Sequence, residues 1–158
     1  MRIKAFGNTK LSVSDFALGT MYFGTKMNQS DSFSLLDEFL DLGGNFLDTA
    51  NNYAYWIENG TGDESELLLG KWLHQRKNRN EIVLASKVGA RPRVSGTFDT
   101  QEGTRSHTII KGVEKSLRRL GTDHLDMLYL HIYDPSSRFE ETQIALEKLK
   151  EKGKIRYY

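Results

Sequence analysis

GGNFLDTANNY, Gly43 to Tyr53, places a helix stop, a strand and two ionisable side chains in one short stretch. The residues before it, Asp31 to Leu42, carry Leu35, Leu36, Phe39 and Leu40 at helical spacing, and Gly43 is the residue type that ends such a helix. Asn45 to Asp48 then reads as a short buried strand with Asp48 at its end, and Tyr53 follows in a polar loop. A carboxyl group and a phenol thus leave the strand together.

The same punctuation recurs on both sides. Phe16 to Gly19, Ile82 to Ser86, Leu125 to Leu130 and Ile155 to Tyr158 read as further strands. Helices are predicted between them. One opens at Asp63, which has capping-box spacing to Glu66, and carries Leu67, Leu68, Leu69, Trp72 and Leu73, with Gly70 placed for close packing. Another begins near Ser106 and buries Ile109, Ile110, Val113, Leu117 and Leu120; a last one runs from about Ser137 to Gly153. Alternating strands and helices predict an α/β chain with a parallel sheet. Lys87 and His131 each follow a strand directly, as Asp48 ends one and Tyr53 comes soon after. Side chains from separate strand ends meet only at the mouth of a parallel sheet or barrel, so these four are read as one candidate active site.

The 158 residues, 38% hydrophobic and 11% aromatic, suit a single domain spanning 1–158 with one core. Lys and Arg number 22 against 21 Asp and Glu, a formal net charge of +1, which gives no electrostatic case for nucleic acid or an anionic membrane. MRIKAFGNTK lacks the apolar core of a secretory signal, no apolar run reaches the roughly 20 residues of a membrane helix, and the expected location is the cytoplasm. With no cysteine there is no disulfide, thiolate nucleophile or Cys-ligated metal, and no metal site is expected. The triplets at Asn28 and Asn59 match a glycosylation pattern by chance.

Met1 to Val13 reads as a hairpin turning at Gly7-Asn8, and Val88 to Thr104, with three glycines and Pro92, as a long loop of functional type. Gly60-Thr61-Gly62 lacks the third glycine of a dinucleotide fingerprint, and Gly70-Lys71 lies inside a helix rather than in a phosphate loop.

The segment Gly43 to Tyr53 resembles the signature of the aldo-keto reductase superfamily, in which a strand-end Asp precedes the catalytic Tyr by five residues. Gly19-Thr20-Met21, SELLLGKWL (Ser65 to Leu73), ASK ending at Lys87 and SLRRLGTDHLDMLYLH (Ser116 to His131) match in the family's order. The resemblance covers essentially the whole chain. It implies a parallel (β/α) barrel and an NADP-dependent oxidoreductase that reduces aldehydes or ketones to alcohols. It also implies that Gly19, Thr20, Met21 and Asp48 lie against the cofactor.

The chemistry agrees with that assignment. Carbonyl reduction needs hydride on carbon and a proton on oxygen, and no side chain supplies hydride, so a nicotinamide cofactor is required; the resemblance implies NADPH. Tyr53 is the proton donor in this reading. A phenol of pKa about 10 benefits from a cation that favours its anion, and Lys87 supplies one. Asp48 pairs with Lys87, and His131 donates a hydrogen bond that orients the substrate oxygen. Taken singly each has a plainer role: Asp48 as a cap, Tyr53 as a loop aromatic, His131 as a bonded structural histidine. Tyr22, Trp56, Arg91 and Tyr133 either line a substrate pocket or serve as surface and packing residues. Lys111 to Arg119 reads as a solvated basic face.

The family's barrel has eight units, of which this chain supplies four βα units and the start of a fifth strand: a truncated half-barrel with an N-terminal hairpin. By the resemblance, most of the cofactor grip lies from the fifth strand onward. Three readings follow: a reductase completed by homo-oligomerisation through open half-barrel edges, an inactive remnant, or a noncatalytic reductase-like interaction module. An open doubly wound sheet is the alternative fold that the strand pattern leaves standing.

Overall fold

A computed structural model describes residues 1–93 and 100–158. The central part of the long loop, positions 94–99, lies outside the described residues. The hairpin consists of β1 (Ile3–Ala5) and β2 (Ser12–Ser14), paired antiparallel with Ile3 opposite Ser14. Gly7 takes the turn at φ +55°.

Five parallel strands then alternate with four helices: β3 (Ala17–Gly19), α1 (Gln29–Asp41), β4 (Phe46–Asp48), α2 (Glu64–Arg76), β5 (Val83–Val88), α3 (Ser106–Leu120), β6 (Leu125–Leu130), α4 (Phe139–Glu151) and β7 (Ile155–Tyr157). The sheet order is β3-β4-β5-β6-β7, with every neighbouring pair parallel. A doubly wound sheet reverses its strand order at a switch point. Here the order is consecutive, and α2 packs on α3 and α3 on α4 in one layer, so the sheet is an arc of a (β/α) barrel.

Successive strand residues face opposite ways, and two cores result. Leu47, Leu84, Val88 and Leu128 meet Leu36, Leu69, Trp72, Val113 and Leu146 on the helical side. Phe46, Val83, Ala85 and Met127 face inward and are covered by Leu11 and Val13 of the hairpin segment. Asn45 ties the two together, accepting from Ser14 N at 2.7 Å and donating to Ser12 O at 2.9 Å. The hairpin therefore closes the end where the strands begin. The opposite end, where Asp48 and Lys87 sit, stays open.

Several local details differ from the sequence reading. Helix α1 starts two residues before Asp31 because Asn28 caps it, its Oδ1 accepting from Asp31 N at 2.9 Å. Helix α4 starts two residues after Ser137, whose hydroxyl bonds Asp134 at 2.6 Å instead. The Asp63 capping box does not form: Asp63 makes no side-chain cap bond and pairs with Arg91 and Arg119. Glu66, the other half of that box, is fully buried and accepts from Ser86 at 2.6 Å and Arg119 at 2.7 Å. Arg119 thus belongs to an interior ion network rather than to a solvated face. Gly70 does serve close packing, since a Cβ there would stand 2.3 Å from Arg119 O.

Candidate active site

Inward parity places Asp48 one step beyond Phe46 on β4, and Lys87 one step beyond Ala85 on β5. The chain keeps its bonds to β5 after β4 ends: Thr49 N donates to Ala85 O and Asn51 N to Lys87 O, each at 3.0 Å. It then turns at Ala54 (φ +59°), just after Tyr53, whose hydroxyl reaches back to Asp48 and Lys87 at the strand ends. Arg91 holds this loop by donating to Asn51 O and Thr61 O while pairing with Asp63. Its guanidinium is therefore a packing clamp.

Three of the four expected residues form a closed polar triangle. Lys87 Nζ donates to Asp48 Oδ2 at 2.5 Å, to Thr49 O at 2.9 Å and to the Tyr53 hydroxyl. The Tyr53 hydroxyl donates in turn to Asp48 Oδ2 at 2.9 Å. Tyr53 is only 7% exposed, and the ammonium and carboxylate are both part-buried, so each neutralises a charge that would be costly alone. His131 follows β6, with its N–H bonded to Val88 O at 2.8 Å and its ring edge-on to Tyr53 at 6.0 Å between centroids.

The electrostatics differ from the expected tuning. The Tyr53 phenol is pushed well above its ordinary pKa, chiefly by burial and next by the Asp48 charge and hydrogen bond, so the resting hydroxyl keeps its proton. Burial lowers Lys87, with Asp48 opposing. Burial and then the Lys87 charge lower His131, which favours the neutral ring.

Two contributors carried no sequence signal of their own. Asn52 accepts from His131 Nδ1 at 3.1 Å and donates through Nδ2 to Ala90 O at 3.1 Å. Since the amide nitrogen is committed to a carbonyl, its oxygen faces the imidazole and Nδ1 must carry the proton. A neutral His131 then presents Nε2 as an acceptor, and donates from it only as the imidazolium. Tyr129 stands opposite Lys87 in the ladder, with its phenol raised by burial and by Asp48.

A family model described as the aldo/keto reductase family matches residues 15–158. The chain belongs to the aldo/keto reductase family. It is 38% identical to a norsolorinic acid reductase of Emericella nidulans over 155 residues, covering 92% of this chain and 38% of that protein. An aryl-alcohol dehydrogenase of Pestalotiopsis microspora is 33% identical over 159 residues, 95% of this chain and 40% of the relative. Among solved structures, an aldo-keto reductase from Bacillus halodurans in its holo form superposes with a TM-score of 0.84 at 35% identity, covering 100% of this chain and 49% of that one. The chain thus spans less than half the length of these aldo/keto reductases, and its five strands are part of their (β/α)8 barrel.

In this aldo/keto reductase chain the expected cofactor contacts divide. Gly19 lies opposite Asp48 in the ladder, and a Cβ there would meet nothing within 4 Å, which leaves open floor for a planar group. Met21 is exposed beside it. Thr20 is fully buried, its hydroxyl 2.7 Å from Ser65 Oγ and bonded to Asp48 O at 3.1 Å, so its side chain ties β3 to α2. Tyr22 and Trp56 are exposed, and Tyr133 stands 89% exposed. Among the described residues, no helix is long and apolar enough to cross a membrane.

Proposed function

We propose that this chain carries the proton-transfer side of an NADPH-dependent reductase that converts aldehydes or ketones to alcohols. The observation that carries the proposal is the triangle of Tyr53, Lys87 and Asp48 at the open strand ends. A reduced nicotinamide, when bound, supplies the hydride that the carbonyl carbon needs. Everything else falls to the chain's own residues.

Tyr53 keeps its proton until a strong base appears, and the alkoxide oxygen formed by reduction is one. The hydroxyl then swings from Asp48 to that oxygen and gives up its proton. Lys87 already donates to the phenol oxygen and stabilises the phenolate left behind. Asp48 keeps Lys87 charged in a part-buried setting. His131 faces Tyr53 across the site and fixes the substrate oxygen, donating from Nε2 when protonated and accepting the alcohol hydroxyl when neutral. Gly19 and Met21 flank the nicotinamide in this reading. The cytoplasm, where NADPH is held reduced, is the compartment that suits it.

Strands β3 and β7 end the sheet, and Leu130, Phe139 and Tyr158 are exposed beside β7. Such exposed apolar side chains are apt for association, so pairing of two copies is part of the proposal. NADPH titration of the purified chain, with mass followed by light scattering, tests it. Micromolar binding by a dimer, with reduction of an aromatic aldehyde lost in Tyr53→Phe while binding persists, is the expected result. Absence of NADPH binding in every oligomeric state would overturn it and leave an inactive remnant or a docking module.

A further inference from the structure

A cleft of about 610 Å³ lies between α3 and the segment that follows β5, away from both sheet edges. Arg91, Arg93, Arg105, Lys111, Lys115 and Arg119 line it, against a single carboxylate among the described residues, Glu102. The whole chain has a formal charge of only +1, so this is a local concentration of positive charge.

Pairing within the cleft is incomplete. Arg91 meets Asp63, and Arg119 meets Asp63 and Glu66. Glu102 is already used by Asn51 Nδ2 at 2.7 Å and Gly89 N at 2.9 Å. Among the described residues, the side chains of Arg93, Arg105, Lys111 and Lys115 have no carboxylate within 4.0 Å. Lys111 and Lys115 are one helical turn apart and share a face. Arg105 is the N-cap of α3 and makes no side-chain cap bond, so the positive end of that helix adds to the same field.

We propose that this cleft binds a phosphate-bearing small molecule. Four cations with no carboxylate partner among the described residues balance about two phosphate groups, each carrying roughly −1.5 to −2. The volume exceeds that of one phosphate and falls within the usual span of small-molecule sites, about 300–1,000 Å³. Among the described residues the lining holds no Phe, Tyr or Trp, and His107 is its one aromatic ring, so the cleft recognises chiefly the phosphates themselves. Arginine forks from Arg93 and Arg105 suit paired oxygens, and the two lysines act as point charges. The site is independent of the reductase reading: it touches the tetrad's loop only at Asn51, and its test is binding rather than turnover.

Titration calorimetry with inorganic pyrophosphate at low ionic strength tests the proposal. Saturable binding that weakens with salt is expected, and Lys111→Ala with Lys115→Ala should weaken it by about tenfold or more. Both lysines are exposed, so the variant keeps its fold, and circular dichroism checks this. A pair of equal charge change on α4 and just after it, Lys148→Ala with Lys152→Ala, should leave the affinity unchanged. Absence of saturation, or equal weakening in both pairs, overturns the proposal. So does tighter binding of a single-stranded oligonucleotide that the Lys111/Lys115 variant loses, which would assign the cleft to nucleic acid.

Discussion

Asn52 sets the tautomer of His131: its Oδ1 lies 3.1 Å from His131 Nδ1 while its Nδ2 donates to Ala90 O at 3.1 Å. The amide cannot turn over without setting two oxygens against each other. Nitrogen-15 shifts of the imidazole should therefore report the Nδ1–H form at neutral pH, with a pKa below the ordinary 6.5. In Asn52→Leu the constraint is gone, and the Nε2–H form should become populated. Unchanged shifts in the variant would show that Asn52 does not choose the tautomer. Stability follows the same group. The unfolded chain takes up this proton at higher pH than the native one, so native stability is greatest above pH 6.5 and falls as pH is lowered toward the folded pKa.

The opposite sign holds for Tyr53. Its folded pKa is raised, so below pH 10 both states are protonated and the native interaction is intact. As pH rises past 10 the unfolded phenol ionises first and stability is lost. Ultraviolet titration at alkaline pH should show one fewer late-ionising tyrosine in Tyr53→Phe than in the parent chain. An identical late phase in both would mean that Tyr53 ionises normally. Under the proposed function the same variant should lose roughly 10²- to 10⁴-fold in turnover, the usual contribution of a general acid.

The strand ends were legible because the apolar runs are short and their polar followers abrupt: Asp48 after Phe46-Leu47, Lys87 after Val83 to Ser86, His131 after Leu130. The arc itself was only half legible. Periodicity predicts parallel strands but not their order, and the order is what separates barrel from doubly wound sheet. The misread residues are polar ones with distant partners. Asp63 and Glu66 have the spacing of a local cap, yet Arg91, Ser86 and Arg119 claim them across the fold. Asn52 and Thr20 likewise act through contacts that sequence spacing does not encode.

Glu66 provides a stability test of that buried network. It is 0% exposed and bonded to Ser86 and to Arg119, whose own side chain is mostly buried. Glu66→Ala leaves the guanidinium with Asp63 alone and opens a void, so urea unfolding should show a loss of about 3 kcal/mol, the lower end for breaking a buried pair. Glu66→Gln keeps the shape and one acceptor and should lose less. Equal losses would mean that the retained shape and acceptor contribute nothing beyond the charge.

Gly70 sets helix propensity against packing. In an exposed helix interior Gly→Ala gains about 1 kcal/mol. At this position the added Cβ would stand 2.3 Å from Arg119 O and 3.0 Å from the Leu120 carbonyl carbon, both backbone atoms of α3. Backbone cannot rotate away, so the α2/α3 contact must open, and overpacking of this kind costs about 1–3 kcal/mol. The clash outweighs the propensity. Gly70→Ala should lower the midpoint of thermal unfolding, and because Arg119 sits at the contact, the loss should be smaller when Glu66 has already been replaced. A raised midpoint would show that α2 and α3 have room to separate.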